Sequence, residues 1–151
     1  MEGFEVTKIG KHIFCILDAG NSSFYMVEGD EKAAVIDTGI TTGKKITPLL
    51  RELTDKPLLL VATHVHCDHI YHMDEFEEVY MCHDEKKIEE TTLRTLTAGR
   101  LKPWDEIHDI HTDSVISLGG TELRICQVPG HTPGSIVILE TRENYLFTGD
   151  A

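Results

Sequence analysis

The chain has 151 residues, 40% of them apolar, which suits one domain with a real hydrophobic core. Lys and Arg number 14 against 26 for Asp and Glu, a formal charge of −12, so the surface field repels phosphate backbones and anionic lipid headgroups and argues against nucleic acid or membrane as partner. The opening "MEGFEVTKIGKHIFCIL" lacks a basic stretch followed by an apolar run and a small-residue cleavage site, and no apolar segment approaches a membrane span; the expected location is the cytoplasm. Cys15, Cys67, Cys82 and Cys126 are irregularly spaced with no Cys-x-x-Cys pair, the pattern of reduced thiols rather than of a disulfide framework or zinc knuckle.

The first forty residues predict strands at "FEVTKI", "HIFCIL", "SFYMVEG" and "AAVIDTG", the last two forming a hairpin around Gly29-Asp30. Ile46, Leu49, Leu50 and Leu53 recur at helical spacing and predict a helix over 43–53, with Pro48 in its first turn. Leu58 to Val61 is a continuous apolar run, the signature of a strand buried on both faces. A short strand at "VYMCH" leads into a charged helix expected over 84–96, and 98–113 reads as irregular connection. Strands return at "SVISL", "TELRICQV", "SIVILE" and "YLFTGD". Helices and strands interleave, so the class is mixed α and β in a single domain, 1–151.

Thr63 to His72, "THVHCDHIYH", places four of the nine histidines and an aspartate directly after the buried strand. In an extended chain residues i and i+2 point the same way, so His64 and His66 can face one ion; Asp68 and His69 follow where the chain turns, into a helix expected near Ile70, and can face a second. A lone histidine in a polar loop needs no function, but His-x-His-x-Asp-His after a buried strand is a metal-ligand pattern. His131, in "PGHTPGS", reads by itself as a turn residue, and Asp150, in "LFTGD", as a strand-end cap. Asp37, closing an apolar strand, fits a ligand, a cap, or an acceptor for the second N–H of a metal-bound histidine, a structural or acceptor role being preferred to that of a ligand. His72 is assigned to the surface or a substrate pocket, and Cys67 is a bystander thiol. His83, His108 and His111 are ordinary surface histidines, Trp104 a packing anchor, and "DEFEE" the solvated face of a short helix.

His64, His66, Asp68 and His69 resemble the signature of the metallo-β-lactamase superfamily of hydrolases. "VIDTG" at 35–39, "PGHTPGS" at 129–135 and "LFTGD" at 146–150 resemble its further motifs in the same order, so the likeness runs from Val35 to Asp150. It implies an α+β fold, the four-layer αββα sandwich. It implies further that His64, His66 and His131 hold one metal, that Asp68 and His69 hold a second, and that Asp150 bridges the two. Zinc suits the histidine-rich position, while the carboxylate-containing position accepts zinc, iron or manganese.

The family's last metal ligand, another histidine, lies beyond the position matched by Asp150, whereas this chain stops at Ala151. The expectation is a sandwich with much of its second half missing, an open sheet edge that invites homo-oligomers, and incomplete catalysis by this chain alone. The implied chemistry is hydrolysis by a metal-bound hydroxide, with Asp68 as the catalytic group that orients it and passes its proton to the leaving group. "THVHCDH", "PGHTPGS" and "TGD" look closest to the glyoxalase II-like branch, which implies a small-molecule thioester or lactone substrate. The rival is a non-catalytic metal-binding half-domain.

Overall fold

The computed structural model describes residues 1–151 as two facing β-sheets with helices on one outer side. Strands β1 (Phe4–Lys8), β2 (Ile13–Asp18), β3 (Ser23–Glu28) and β4 (Ala33–Ile36) form an antiparallel meander, with the predicted β3–β4 hairpin in place. After helix α1 (Thr47–Leu53), β5 (Leu58–Val61) joins β4 in parallel, and β6 (Val79–Met81) and β7 (His108–Asp109) add parallel strands. The second sheet, in the order β11-β10-β9-β8, comprises β8 (Val115–Ser117), β9 (Glu122–Gln127), β10 (Ile136–Glu140) and β11 (Tyr145–Phe147), all antiparallel.

Strand alternation sorts the side chains into two cores. Val35 and Leu60 point outward with Ile46, Leu49, Leu50, Ile70 and Leu93 beneath the helices, while Ala34, Ile36, Leu59 and Val61 point inward against Leu123, Ile125, Ile136 and Ile138 of the second sheet. β5 is apolar throughout because both of its faces lie in a core. The helices all pack on the outer face of the first sheet. The outer face of the second sheet leaves Val115, Leu139 and Leu146 exposed, so the layers run α, β, β.

Several local expectations are corrected. Residues 43–46 are not helical: α1 starts at Thr47, and the Glu75 carboxylate accepts from Ile46 N at 3.1 Å and Thr47 N at 2.9 Å, capping the helix from a distant segment. "DEFEE" is accordingly not all solvated, because Glu75 turns inward. The charged helix splits into a 3₁₀ turn, His83–Lys87, and α3 (Glu90–Leu96). Ile88 is extended between them, and the Glu89 side chain caps α3 by accepting from Thr91 N and Thr92 N. The segment expected to be irregular carries a 3₁₀ turn at Trp104–Glu106 and strand β7.

Candidate metal centre

The helix expected near Ile70 is α2 (Cys67–Ile70), one turn beginning earlier. His66 is its extended N-cap, and Asp68 sits in the first turn, where a carboxylate suits the exposed N–H groups. His64 and His66 follow β5 through a bent stretch, 63–66, rather than the expected extended chain, with His66 itself in extended conformation, and Asp68 and His69 project from the helix turn beside them. His131 arrives on the 128–135 loop between β9 and β10, and Asp150 on the turn after β11. The site thus sits outside the carboxyl ends of β4 and β5, where open sheets with parallel strands collect ligands.

All six candidate residues converge. Ligand atoms of His64, His66, His131 and Asp150 lie within 4.8 Å of one another. His64 Nε2 is 3.1 Å from His66 Nδ1. Asp150 Oδ2 stands among three of the histidines, 3.5 Å from His64 Nε2, 3.4 Å from His131 Nε2 and 3.3 Å from His69 Nε2. Asp68 Oδ2 is 3.5 Å from His69 Nε2.

Supporting groups set which nitrogen of each ring faces inward. Asp37 has a positive φ of 63°, a conformation an aspartate tolerates better than most side chains, and its carboxylate accepts from Thr63 N at 2.8 Å, Thr63 Oγ1 at 2.8 Å and His69 Nδ1 at 2.7 Å. Because the Thr63 hydroxyl gives its hydrogen to Asp37, its oxygen accepts from His64 Nδ1 at 3.1 Å. Both Nε2 atoms are left to face the cluster, the orientation that outer carboxylates impose on metal-binding histidines.

The protonation equilibria divide accordingly. Burial first, then the positive fields of His69, His66 and His131, holds His64 down to about 2, so its nitrogen keeps a lone pair for a cation. Burial, then His131, also lowers His66. Burial opposes the charging of His69 most strongly, but the hydrogen bond and charge of Asp37, with Asp68 and Asp150 behind them, push it up to about 9. Burial, then Asp68, raises the Cys67 thiol, which keeps it protonated.

Glu85, which lies in the stretch expected as a charged helix, is fully buried under the site. It accepts from Val65 N at 2.7 Å, Gly134 N at 2.6 Å and Thr132 Oγ1 at 3.0 Å, tying the histidine segment to the His131 loop. Burial raises its pKa despite the three donors. A Cβ on Gly134 would meet Glu85 atoms at 2.6 to 2.8 Å, so only glycine fits. Gly149 has φ +54° and would press a Cβ to 2.6 Å from Thr63 Oγ1, which explains the glycine before Asp150. A charged run carries no signal that one of its carboxylates turns inward.

Of the peripheral histidines, His83 departs from the expected surface position. His72, expected at the surface or in a substrate pocket, is buried at the edge of a cavity, its backbone N–H donating to Thr38 Oγ1 at 3.2 Å and its Nδ1 facing Glu75 Oε1 at 2.8 Å. His83 is half-buried, held at 2.7 Å to the Ile107 carbonyl and edge-on to Trp104. His108 and His111 are exposed, and Trp104 packs against the outer core.

The family model for the metallo-beta-lactamase superfamily matches residues 17–151. The human protein named acyl-coenzyme A thioesterase MBLAC2 is 29% identical, the match covering 99% of this chain and 67% of that protein. The probable metallo-hydrolase YqgX of Bacillus subtilis is 30% identical over 83% of this chain and 64% of its own length; the chain thus spans about two thirds of these relatives. Among solved structures, the subclass B3 metallo-beta-lactamase BJP-1 of Bradyrhizobium japonicum superposes with a TM-score of 0.74 at 20% identity, covering 96% of this chain and 62% of that one. No helix of the chain is long and apolar enough to cross a membrane. With sheet order, motif placement and family model in agreement, the chain belongs to the metallo-beta-lactamase superfamily of hydrolases.

Proposed function

We propose that this chain carries the metal-binding core of a hydrolase for acyl thioesters, with a small-molecule substrate and water as the nucleophile. The observation that carries the proposal is the convergence of His64, His66, His131 and Asp150 on one point, with Asp68 and His69 beside it. The donor set fits metal ions: three imidazoles with lone pairs available and a carboxylate suit zinc, and the adjoining Asp68–His69–Asp150 group admits zinc, iron or manganese. Ions held there supply Lewis acidity and a water of near-neutral pKa.

The chain's own residues supply the rest. Asp37 and Thr63 hold His69 and His64 in one ring orientation, so the site needs little reorganisation when an ester enters. Asp68, half-exposed at the rim on a helix turn, is the group to orient the attacking water and return its proton to the departing sulfur. A thiolate departs without strong protonation, which favours thioesters, and lactones next, over amides. The name of the human relative supports the thioester branch, as does the glyoxalase II-like pattern of the motifs.

The test is a panel of acyl thioester, lactone, β-lactam and phosphodiester, assayed on the intact reading frame with zinc or manganese, with chelator, and with His64→Ala. Thioester cleavage that vanishes with chelator and returns with metal is expected. Metal content without turnover on any substrate would favour the non-catalytic module, and cleavage of the β-lactam or phosphodiester alone would reject the thioester.

A further inference from the structure

Just past the C-terminal end of α2 lies a second cavity of about 230 Å³, lined by Lys44, Lys45, Tyr71, His72, Asp74 and Arg100 together with Glu75. In a chain of net charge −12, three cations here lack any carboxylate partner. Lys44 Nζ donates to the Glu2 carbonyl at 2.9 Å, and Arg100 lies 4.0 Å over the Tyr71 ring while donating to its hydroxyl at 2.8 Å. Neither contact neutralises a charge. Asp74 is exposed, and both Glu75 oxygens are committed to Ile46 N, Thr47 and His72 Nδ1, so the acids present do not cancel the cations.

The second observation is His72. Its side chain is 6% exposed, and its Nε2, although buried, has no hydrogen-bond partner. Buried polar atoms are rarely left so, and an orphan in a polar, cation-lined concavity marks a place where a ligand atom belongs. Nδ1 must carry the hydrogen it gives to Glu75. Nε2 therefore meets a ligand as a lone pair accepting an O–H, or on the imidazolium as a donor. Monohydrogen phosphate and the monoanion of a phosphate monoester carry both an O–H and anionic oxygens, which serve His72 and the cations together, while the monoester dianion meets the imidazolium N–H and the cations. A metal ion would meet three positive charges and is disfavoured.

We infer that the cavity formed by Lys44, Lys45, Tyr71, His72 and Arg100 is a binding subsite for a phosphate group. It lies close to the metal centre along the chain: Asp37 holds the His69 ring while the neighbouring Thr38 accepts from the backbone N–H of His72, two residues past the end of α2. A phosphate here would anchor the far end of a substrate whose acyl group lies over the ions. That last step rests on the thioester reading; binding of phosphate itself does not.

The experiment is amide shift mapping of the metal-loaded protein titrated with inorganic phosphate and, separately, with adenosine 3′,5′-bisphosphate, the phosphorylated end of coenzyme A. Saturable shifts at residues 43–45 and 71–72 are expected with at least one of them. Lys45→Glu with Arg100→Glu, both exposed positions, should weaken that binding about tenfold or more with the spectrum otherwise preserved. The charge-matched Lys8→Glu with Lys11→Glu should not. Tighter binding of the bisphosphate identifies an ester ligand, and tighter binding of phosphate identifies the free ion. Shifts confined to residues 130–132 and 149–151, or equal weakening by both double variants, would overturn the subsite. Retained phosphate binding with no thioester turnover would leave the subsite standing and remove the thioester reading.

Discussion

On the side of the pocket that grows from the seven-stranded sheet, the His64 side chain is 1% exposed and its orientation is set through Thr63 and Asp37. On the side that grows from the four-stranded sheet, the His131 and Asp150 side chains are 39% and 45% exposed and rest on tight turns. The first side is a template whose geometry is part of the folded core. The second is a clamp, held by backbone conformation and by one buried carboxylate reaching across. A metal pocket assembled this way keeps the buried His64 and His69 positioned whatever binds, and leaves His131 and Asp150 freer to adjust.

Breaking the template should have the largest effect. His64→Ala removes the most buried of the proposed ligands and is expected to abolish turnover and at least one metal equivalent by elemental analysis. Asp150→Asn keeps shape and one acceptor oxygen, so it should weaken metal binding while leaving measurable occupancy. Equal losses from both would erase the distinction between template and clamp.

Cutting the link between the two sides comes next. Glu85→Ala strands the Val65 and Gly134 N–H groups, while the Thr132 hydroxyl can still turn to Ser135 Oγ at 2.8 Å. Each buried donor without a partner costs about 1–3 kcal/mol, and relief of the buried charge offsets part of that, so a net loss of about 3 kcal/mol is expected from urea unfolding. A loss under about 0.5 kcal/mol, the range of an ordinary surface substitution, would show that the two sides are held together by something else.

This contrast also tracks what was legible in the sequence. The template side was readable because its signals are local: an apolar run that can only be a twice-covered strand, followed by ligand-type residues at spacings of two and one. The clamp side was not, since "GHTPG" and "TGD" read in isolation as turn and cap, and only the family resemblance promoted His131 and Asp150. Glu85 and Glu75 were missed for a common reason. Each lies in a run of charges whose pattern describes a solvated face, and each is turned inward by donors supplied from segments 20 or more residues away, at Val65 and at Ile46–Thr47. His72 is buried by the same Glu75.

Protonation sharpens the comparison without a mutation at any ligand. In chelator-treated protein His69 is raised to about 9, so its contribution to stability is complete below about pH 6.5 and is lost as pH rises through about 9. The upper bound is on the order of 3 kcal/mol. His64, held down to about 2, acts in the opposite sense: its contribution is present above about 6.5 and is lost as pH falls. Urea midpoints should therefore decline on both sides of neutrality. Asp37→Asn should flatten the alkaline decline, because it removes the main partner of the His69 charge, and should weaken metal binding about 10–100-fold. An alkaline limb that survives Asp37→Asn would mean that Asp68 and Asp150 carry the charge of His69 instead.

The smallest effect is expected from Cys67, although it lies between two proposed ligands. Thiolate is the metal-binding form of cysteine, and here burial and then Asp68 raise the thiol pKa and disfavour that form. Its position is wrong as well. His66 is the extended N-cap and Cys67 the first helical residue, so the chain turns between them, while Asp68 and His69 in the same helix turn lie beside Asp150 through the His69 ring. Cys67→Ala should leave metal content, turnover and the pH profile unchanged. Alanine is also the better helix former at that position, so stability should hold or rise slightly. Loss of a metal equivalent from Cys67→Ala would show that the thiol completes the second position, and Asp68 would then have to give up its place beside His69 to make room for it.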